Sequence, residues 1–175
     1  MSKKDELIVV DFDGTLFFTE KCTRLAAKEI LKKNLSRKQI RNLPRPIKDK
    51  VYDLAFTKYN HHSILNKRLR TILSKKIGSK IIILTARSKI SNSHMKILLK
   101  KYNIKVSGVF CRNKIEMKLD DEEWKRRFLG KIVHKYKSVI LYEDKMDNIE
   151  HIHSNLEHND IKCYLVSPKG IKRVK

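Results

Sequence analysis

Five short apolar runs punctuate an otherwise polar chain: Leu7 to Val10, Lys80 to Leu84, Val106 to Phe110, Ser138 to Tyr142 and Lys162 to Val166. Runs of this length, rich in Val and Ile, predict buried strands. All but the first follow a stretch of helical spacing, over Ile64 to Lys76, Ser93 to Tyr102, Asp121 to Tyr136 and Met146 to Asn155, several with Ser, Asn or Asp near their starts. Strands alternating with helices predict an α/β fold, a mainly parallel sheet with helices on both faces.

The alternation lapses between Glu20 and about His62, where helical periodicity in Arg24 to Lys33 and Lys48 to Tyr59 flanks the break Leu43-Pro-Arg-Pro46. This reads as an insertion, residues 20–62, into a core made of residues 1–19 and 63–175. The end, Gly170-Ile-Lys-Arg-Val-Lys175, reads as a loose basic tail.

Length and charge sharpen this picture. A chain of 175 residues supports one core of ordinary size, with room for a small insertion. Its 41 Lys and Arg against 19 Asp and Glu give a formal charge of +22, a surplus that points to polyanionic partners, nucleic acid first. From Glu20 to Lys75 there are sixteen basic residues against four acidic ones, so the insertion is the expected anionic docking surface. Cys22, Cys111 and Cys163 are isolated, without zinc-site or disulfide spacing, which suits a reducing compartment. The polar start and the lack of any run of roughly twenty apolar residues predict a soluble, unprocessed protein of the cytoplasm or nucleus, with no membrane partner.

Candidate chemistry sits at the strand ends. Ile8-Val-Val-Asp-Phe-Asp-Gly-Thr-Leu16 puts Asp11 and Asp13 where a buried strand gives way to a glycine turn, the place where open α/β sheets build their sites. On an extended backbone these two side chains share a face, and two carboxylates converging there call for a divalent cation between them. Strand Ile81-Ile-Ile-Leu-Thr-Ala-Arg87 ends in Thr85 and Arg87, a hydroxyl and a guanidinium fork suited to one phosphate. Val139-Ile-Leu-Tyr-Glu-Asp144 ends in the adjacent acids Glu143 and Asp144. His151 and His153 are spaced i and i+2, off a common helix face, and read as peripheral.

These segments, in this order, resemble the haloacid dehalogenase-like phosphatase superfamily, whose first motif is an apolar strand followed by Asp-x-Asp-x-Thr, matched by Asp11, Asp13 and Thr15. The resemblance implies a three-layer Rossmann-like core with a five-stranded sheet in the order 5-4-1-2-3 and a small helical C1 cap over the site. It marks Thr85 as the phosphate-binding second motif, with Arg87 beside it. Lys125, in Asp121-Glu-Glu-Trp-Lys-Arg-Arg-Phe128, becomes the third-motif lysine, preferred to Lys118 and Lys131 for its spacing of nineteen residues before Asp144. Asp144 is the implied metal ligand, joined by Asp11 and Asp13, with Glu143 binding directly or through water. Asp147 and Asn148 stand where related sequences carry a further polar group.

The implied activity is magnesium-dependent phosphate-ester hydrolysis, with Asp11 as nucleophile and Asp13 as general acid and base. Basic charge favours RNA or DNA ends as substrates, since counterion release rewards a wide cationic field. The Leu84-Thr-Ala-Arg-Ser88 and Tyr142-Glu-Asp-Lys145 segments also look like the phosphatase halves of polynucleotide kinase-phosphatases, which commonly remove 3′ phosphates. No phosphate-binding kinase loop accompanies them. Two alternatives remain: a 5′-nucleotidase or other small-metabolite phosphatase acting on a free nucleotide, and a basic nucleic-acid-binding protein on an inactive scaffold.

Overall fold

The computed structural model describes residues 4–76, 78–156 and 160–175, and of Lys4 and Asp5 the backbone alone. Its centre is strand β1 (Lys4–Val10), whose Leu7, Ile8, Val9 and Val10 are fully buried. Parallel partners lie on either side: β4 (Lys80–Ser88) and then β5 (Gly108–Arg112), and β6 (Tyr136–Glu143) and then β7 (Ile161–Ser167). Because side chains alternate along a strand, Ile8 and Val10 enter one core with Ile81, Ile83, Leu69, Met95 and Leu98. Leu7 and Val9 enter the other with Ile82, Leu84, Trp124, Leu129 and Ile149. Helices α4 (Lys67–Ser74) and α5 (Asn92–Lys101) cover the first face; α6 (Asp121–Gly130) and α7 (Met146–Asn155) cover the second. These are the three layers expected, and the five expected strands stand in the expected order.

Two details correct the expectation. The sheet has six strands, because Gly170–Arg173 forms β8 rather than a loose tail. The chain reverses over Pro168 and Lys169 and pairs antiparallel with β7 in the register Ser167↔Gly170 to Tyr164↔Arg173, which removes β7 from the sheet edge. The third strand also lies two residues further on than its apolar run suggests, at Gly108–Arg112 instead of Val106 to Phe110.

Between β1 and β4 the chain leaves and re-enters the sheet layer through a short antiparallel pair, β2 (Phe17–Phe18) and β3 (Ile64–Leu65). Asn66 fastens this stem: its amide nitrogen donates to the Thr15 carbonyl at 3.0 Å while its side-chain oxygen caps α4 by accepting from Leu69 N at 3.1 Å. Between the stem strands lie α1 (Glu20–Leu31), α2 (Arg37–Arg41) and α3 (Arg45–Phe56), which bury Cys22, Ala26, Ala27, Ile40, Val51 and Ala55 together. Small residues on α1 allow α3 to approach closely. The proline pair that looked like a break is a helix start: Pro44 precedes α3 and Pro46 lies in its first turn, where no backbone N–H is needed.

Candidate active site

The carboxyl ends of β1, β4 and β6 converge, and α6 adds one side chain from beneath. Asp11 follows the last residue of β1 and is held by its own N–H, which donates to the Tyr142 carbonyl at 2.9 Å. Lys125, on the second turn of α6, reaches between the strands and donates to Asp11 Oδ1 at 2.7 Å and to Glu143 Oε2 at 2.6 Å. All three groups are buried. Of the candidate lysines, only Lys125 makes these contacts among the described residues.

One ammonium faces two carboxylates here, with a third acid close by. Burial alone would lower the Lys125 ammonium, but Asp11 and Glu143 outweigh it and push it well above the ordinary lysine value. Burial would raise Glu143, yet Lys125 and its hydrogen bonds hold that carboxyl below the usual range. Asp11 is the group left over: burial pushes it well up, Lys125 opposes, and Glu143, Asp144 and Asp13 add to the rise. Asp144 is likewise pushed up to about 6 by burial and by Glu143. The cluster thus carries more negative charge than its resident lysine balances.

Carboxylate oxygens of Asp11, Glu143 and Asp144 lie within 4.8 Å of one another. An all-oxygen donor set in excess negative charge fits a hard divalent cation such as magnesium. Gly14 shapes the same place. Its φ is +84°, and a Cβ there would stand 2.3 Å from Asp144 Oδ2, so only glycine permits both the turn and the approach of Asp144. Glu143 is the least available ligand, since Oε1 already accepts from the backbone N–H groups of Asp144 and Lys145 at 3.1 and 3.2 Å.

Asp13 does not join this cluster through its side chain. The chain turns sharply after Asp11, with Leu16 N donating to Asp11 O and Phe17 N to Phe12 O, so the extended geometry that would bring both carboxylates to one point is lost. Arg87 grips Asp13 instead: Nε donates to Oδ2 and Nη2 to Oδ1, both at 2.8 Å. Thr19 adds a hydroxyl bond to Oδ1 at 2.8 Å. Arg87 is therefore engaged with Asp13 rather than free for a phosphate. Its guanidinium lies 4.5 Å from the Phe12 ring and 3.8 Å from the Phe56 ring, and Nη1 donates to Asn60 Oδ1 at 3.0 Å. Phe56 and Asn60 come from the segment between the stem strands. Thr85 is buried next to the fork, its hydroxyl accepting from Arg87 N at 3.3 Å.

Thr19, Asn60, Phe56 and Arg37 escape sequence reasoning. Arg37, at the start of α2, donates from Nη2 to Asp144 Oδ2 at 3.1 Å across 107 positions. Nothing local in the sequence marks such a pairing. Asp147 lies in the first turn of α7, and Asn148 is buried beside Glu143, whereas His151 bonds Glu123 at 3.1 Å away from the acid cluster.

The fold is similar to that of haloacid dehalogenase-like hydrolases. Chains in the Pnkp1/Rnl/Hen1 RNA repair complex match 94% of this chain with a TM-score of 0.62 at 17% identity. This chain spans less than half of them, 43% in that comparison. A haloacid dehalogenase-like family hydrolase from Streptococcus pneumoniae matches 86% of this chain and 80% of its own, with a TM-score of 0.59 at 11% identity. A HAD-superfamily hydrolase of subfamily IA from Geobacter sulfurreducens matches 86% and 85%, with a TM-score of 0.57 at 14% identity. No protein-family profile and no curated protein matches the sequence. Among the described residues no helix is long and apolar enough to cross a membrane.

Proposed function

We propose that this protein is a magnesium-dependent phosphatase that acts through an aspartyl-phosphate and removes terminal phosphates, 3′ ones foremost, from nucleic acid. The observation that carries the reading is the buried Lys125 bridging Asp11 and Glu143 beside Asp144. This arrangement holds a carboxylate nucleophile, a cation and a metal-ready acid within one cleft.

Asp11 attacks phosphorus, the bond to the leaving oxygen breaks, and Asp13 gives that oxygen a proton. Water then attacks the acyl phosphate, Asp13 takes its proton, and inorganic phosphate leaves with Asp11 restored. Lys125 stabilises charge on the transferring group, helped by the Thr85 hydroxyl. Arg87 and Thr19 aim Asp13, so the arginine acts here by positioning the acid. Asp11, Asp144, Glu143 and the main-chain oxygen of Asp13 would hold magnesium, which would neutralise charge between the anionic nucleophile and the anionic substrate.

Residues 20–62 act as a basic cap over this cleft, around a core of residues 1–19 and 63–175. The sixteen basic residues between Glu20 and Lys75 favour an extended polyanion, as does the likeness to chains of an RNA repair complex. A phosphate-release screen compares 3′- and 5′-phosphorylated RNA and DNA oligomers with mononucleotides, with and without magnesium. Turnover of oligomer ends that Asp11→Asn abolishes supports the proposal. Turnover of mononucleotides alone would replace it by a nucleotidase, and magnesium-independent oligomer binding without turnover by a binding protein.

A further inference from the structure

Arg37 opens α2 behind a complete capping box in which Ser36 and Gln39 satisfy each other's backbone N–H groups. The helix start is thus settled without the Arg37 side chain, which projects to the acid cluster and donates to Asp144 Oδ2 at 3.1 Å. The arginine side chain is 47% exposed and that of Asp144 11%. Nε and Nη1 of Arg37 have no hydrogen-bond partner among the described residues. A guanidinium fork therefore stands over the cluster on one tooth, with most of its donors turned to solvent.

The oxygen that Arg37 touches belongs to an acid of the cluster that fits a divalent cation. Two cations cannot share it without strong repulsion at such separations. We propose that Arg37 is a phosphate-binding residue held in reserve by Asp144: a divalent ion entering the cluster displaces its guanidinium, which then grips a substrate phosphate from the cap side. The proposal rests on the phosphatase reading above and adds a residue to its substrate site. Coupling of this kind is reciprocal, so Arg37 must weaken metal binding in the free protein and strengthen anion binding in the metal-loaded one.

Calorimetry on the full chain tests both halves, with magnesium alone and then with inorganic phosphate at saturating magnesium. Arg37→Ala is expected to bind magnesium about fivefold more tightly than wild type and phosphate about tenfold more weakly. Arg37→Lys, which keeps the charge and loses the fork, is expected to resemble wild type toward magnesium and to fall between the two toward phosphate. Lys38→Ala removes a neighbouring exposed charge that does not touch Asp144 and is expected to leave both affinities near wild type. Equal magnesium affinities in wild type and Arg37→Ala, equal phosphate affinities, or the same changes in Lys38→Ala would each overturn the proposal. Circular dichroism establishes that the variants are folded. Magnesium-dependent hydrolysis of p-nitrophenyl phosphate by wild type, lost in Asp11→Asn, tests the phosphatase reading separately, so either can fail while the other stands.

Discussion

Arg87 and Asp13 meet fork to fork, two parallel bonds of 2.8 Å joining the end of β4 to the turn after β1. The Arg87 guanidinium lies against the rings of Phe12 of the core and Phe56 of α3, so its geometry depends on the inserted segment as well as on the sheet. If Asp13 is the proton-transfer group, its aim is set by Arg87. Arg87→Lys keeps the charge but loses the bidentate contact, and is expected to lower kcat roughly a hundredfold with a smaller change in KM, as misaligned catalytic groups do. Steady-state kinetics on p-nitrophenyl phosphate check this; an unchanged kcat would remove Arg87 from the site.

Removing the central ammonium should cost stability as well as activity. Lys125→Met leaves Asp11 and Glu143 buried and facing each other without a cation, a loss of about 3–5 kcal/mol for a broken buried pair. Combining it with Glu143→Gln relieves part of that loss, whereas activity stays absent. Denaturant unfolding of the single and double variants measures the stability and a phosphate-release assay the activity.

Gly14→Ala probes the candidate metal site without touching a charge. The new Cβ would fall 2.3 Å from Asp144 Oδ2 at a backbone φ of +84°, so Asp144 must move and the turn is strained. The expected result is weaker magnesium binding, read as a rise in the magnesium concentration for half-maximal activity, with a stability loss of about 1–2 kcal/mol.

Acid sensitivity should run in part through Asp121, at the first position of α6. Burial would raise its carboxyl, but Lys145 at 2.6 Å and Arg112 outweigh that and hold it below the ordinary value. A carboxyl lowered on folding contributes stability that is present above its unfolded pKa of about 3.9 and is lost as pH falls through the folded value. Asp121→Asn is therefore expected to be less stable than wild type at neutral pH, the gap closing below about pH 4. Thermal unfolding across pH 3 to 8 measures the gap, and a constant difference would refute the assignment.

The legible parts of this molecule are those written in local pattern. Unbroken apolar runs in Leu7 to Val10 and Ile81 to Leu84 announce the central strands because each must fill a core on both faces. Met146–Asn155 is helical over the span its periodicity indicates. β8 was missed because Gly170-Ile-Lys-Arg173 carries no apolar alternation; its pairing is earned by the open edge of β7, a feature of the sheet and not of the segment.

The same division runs through the site. Strand-end acids are properties of local pattern, so the sequence pointed to Asp11, Asp13, Glu143 and Asp144 at strand ends and to a covered, mainly parallel sheet, while Lys125 was singled out through the family resemblance. Which partner each charge takes was decided only in three dimensions. Asp13 turns from Asp11 to Arg87 because hydrogen bonds within the loop bend the backbone there, and Arg37 finds Asp144 because α2 is folded back over the cleft. A charged side chain has several neighbours within its reach, and packing, which places the backbones that carry them, chooses among partners that are equivalent in sequence.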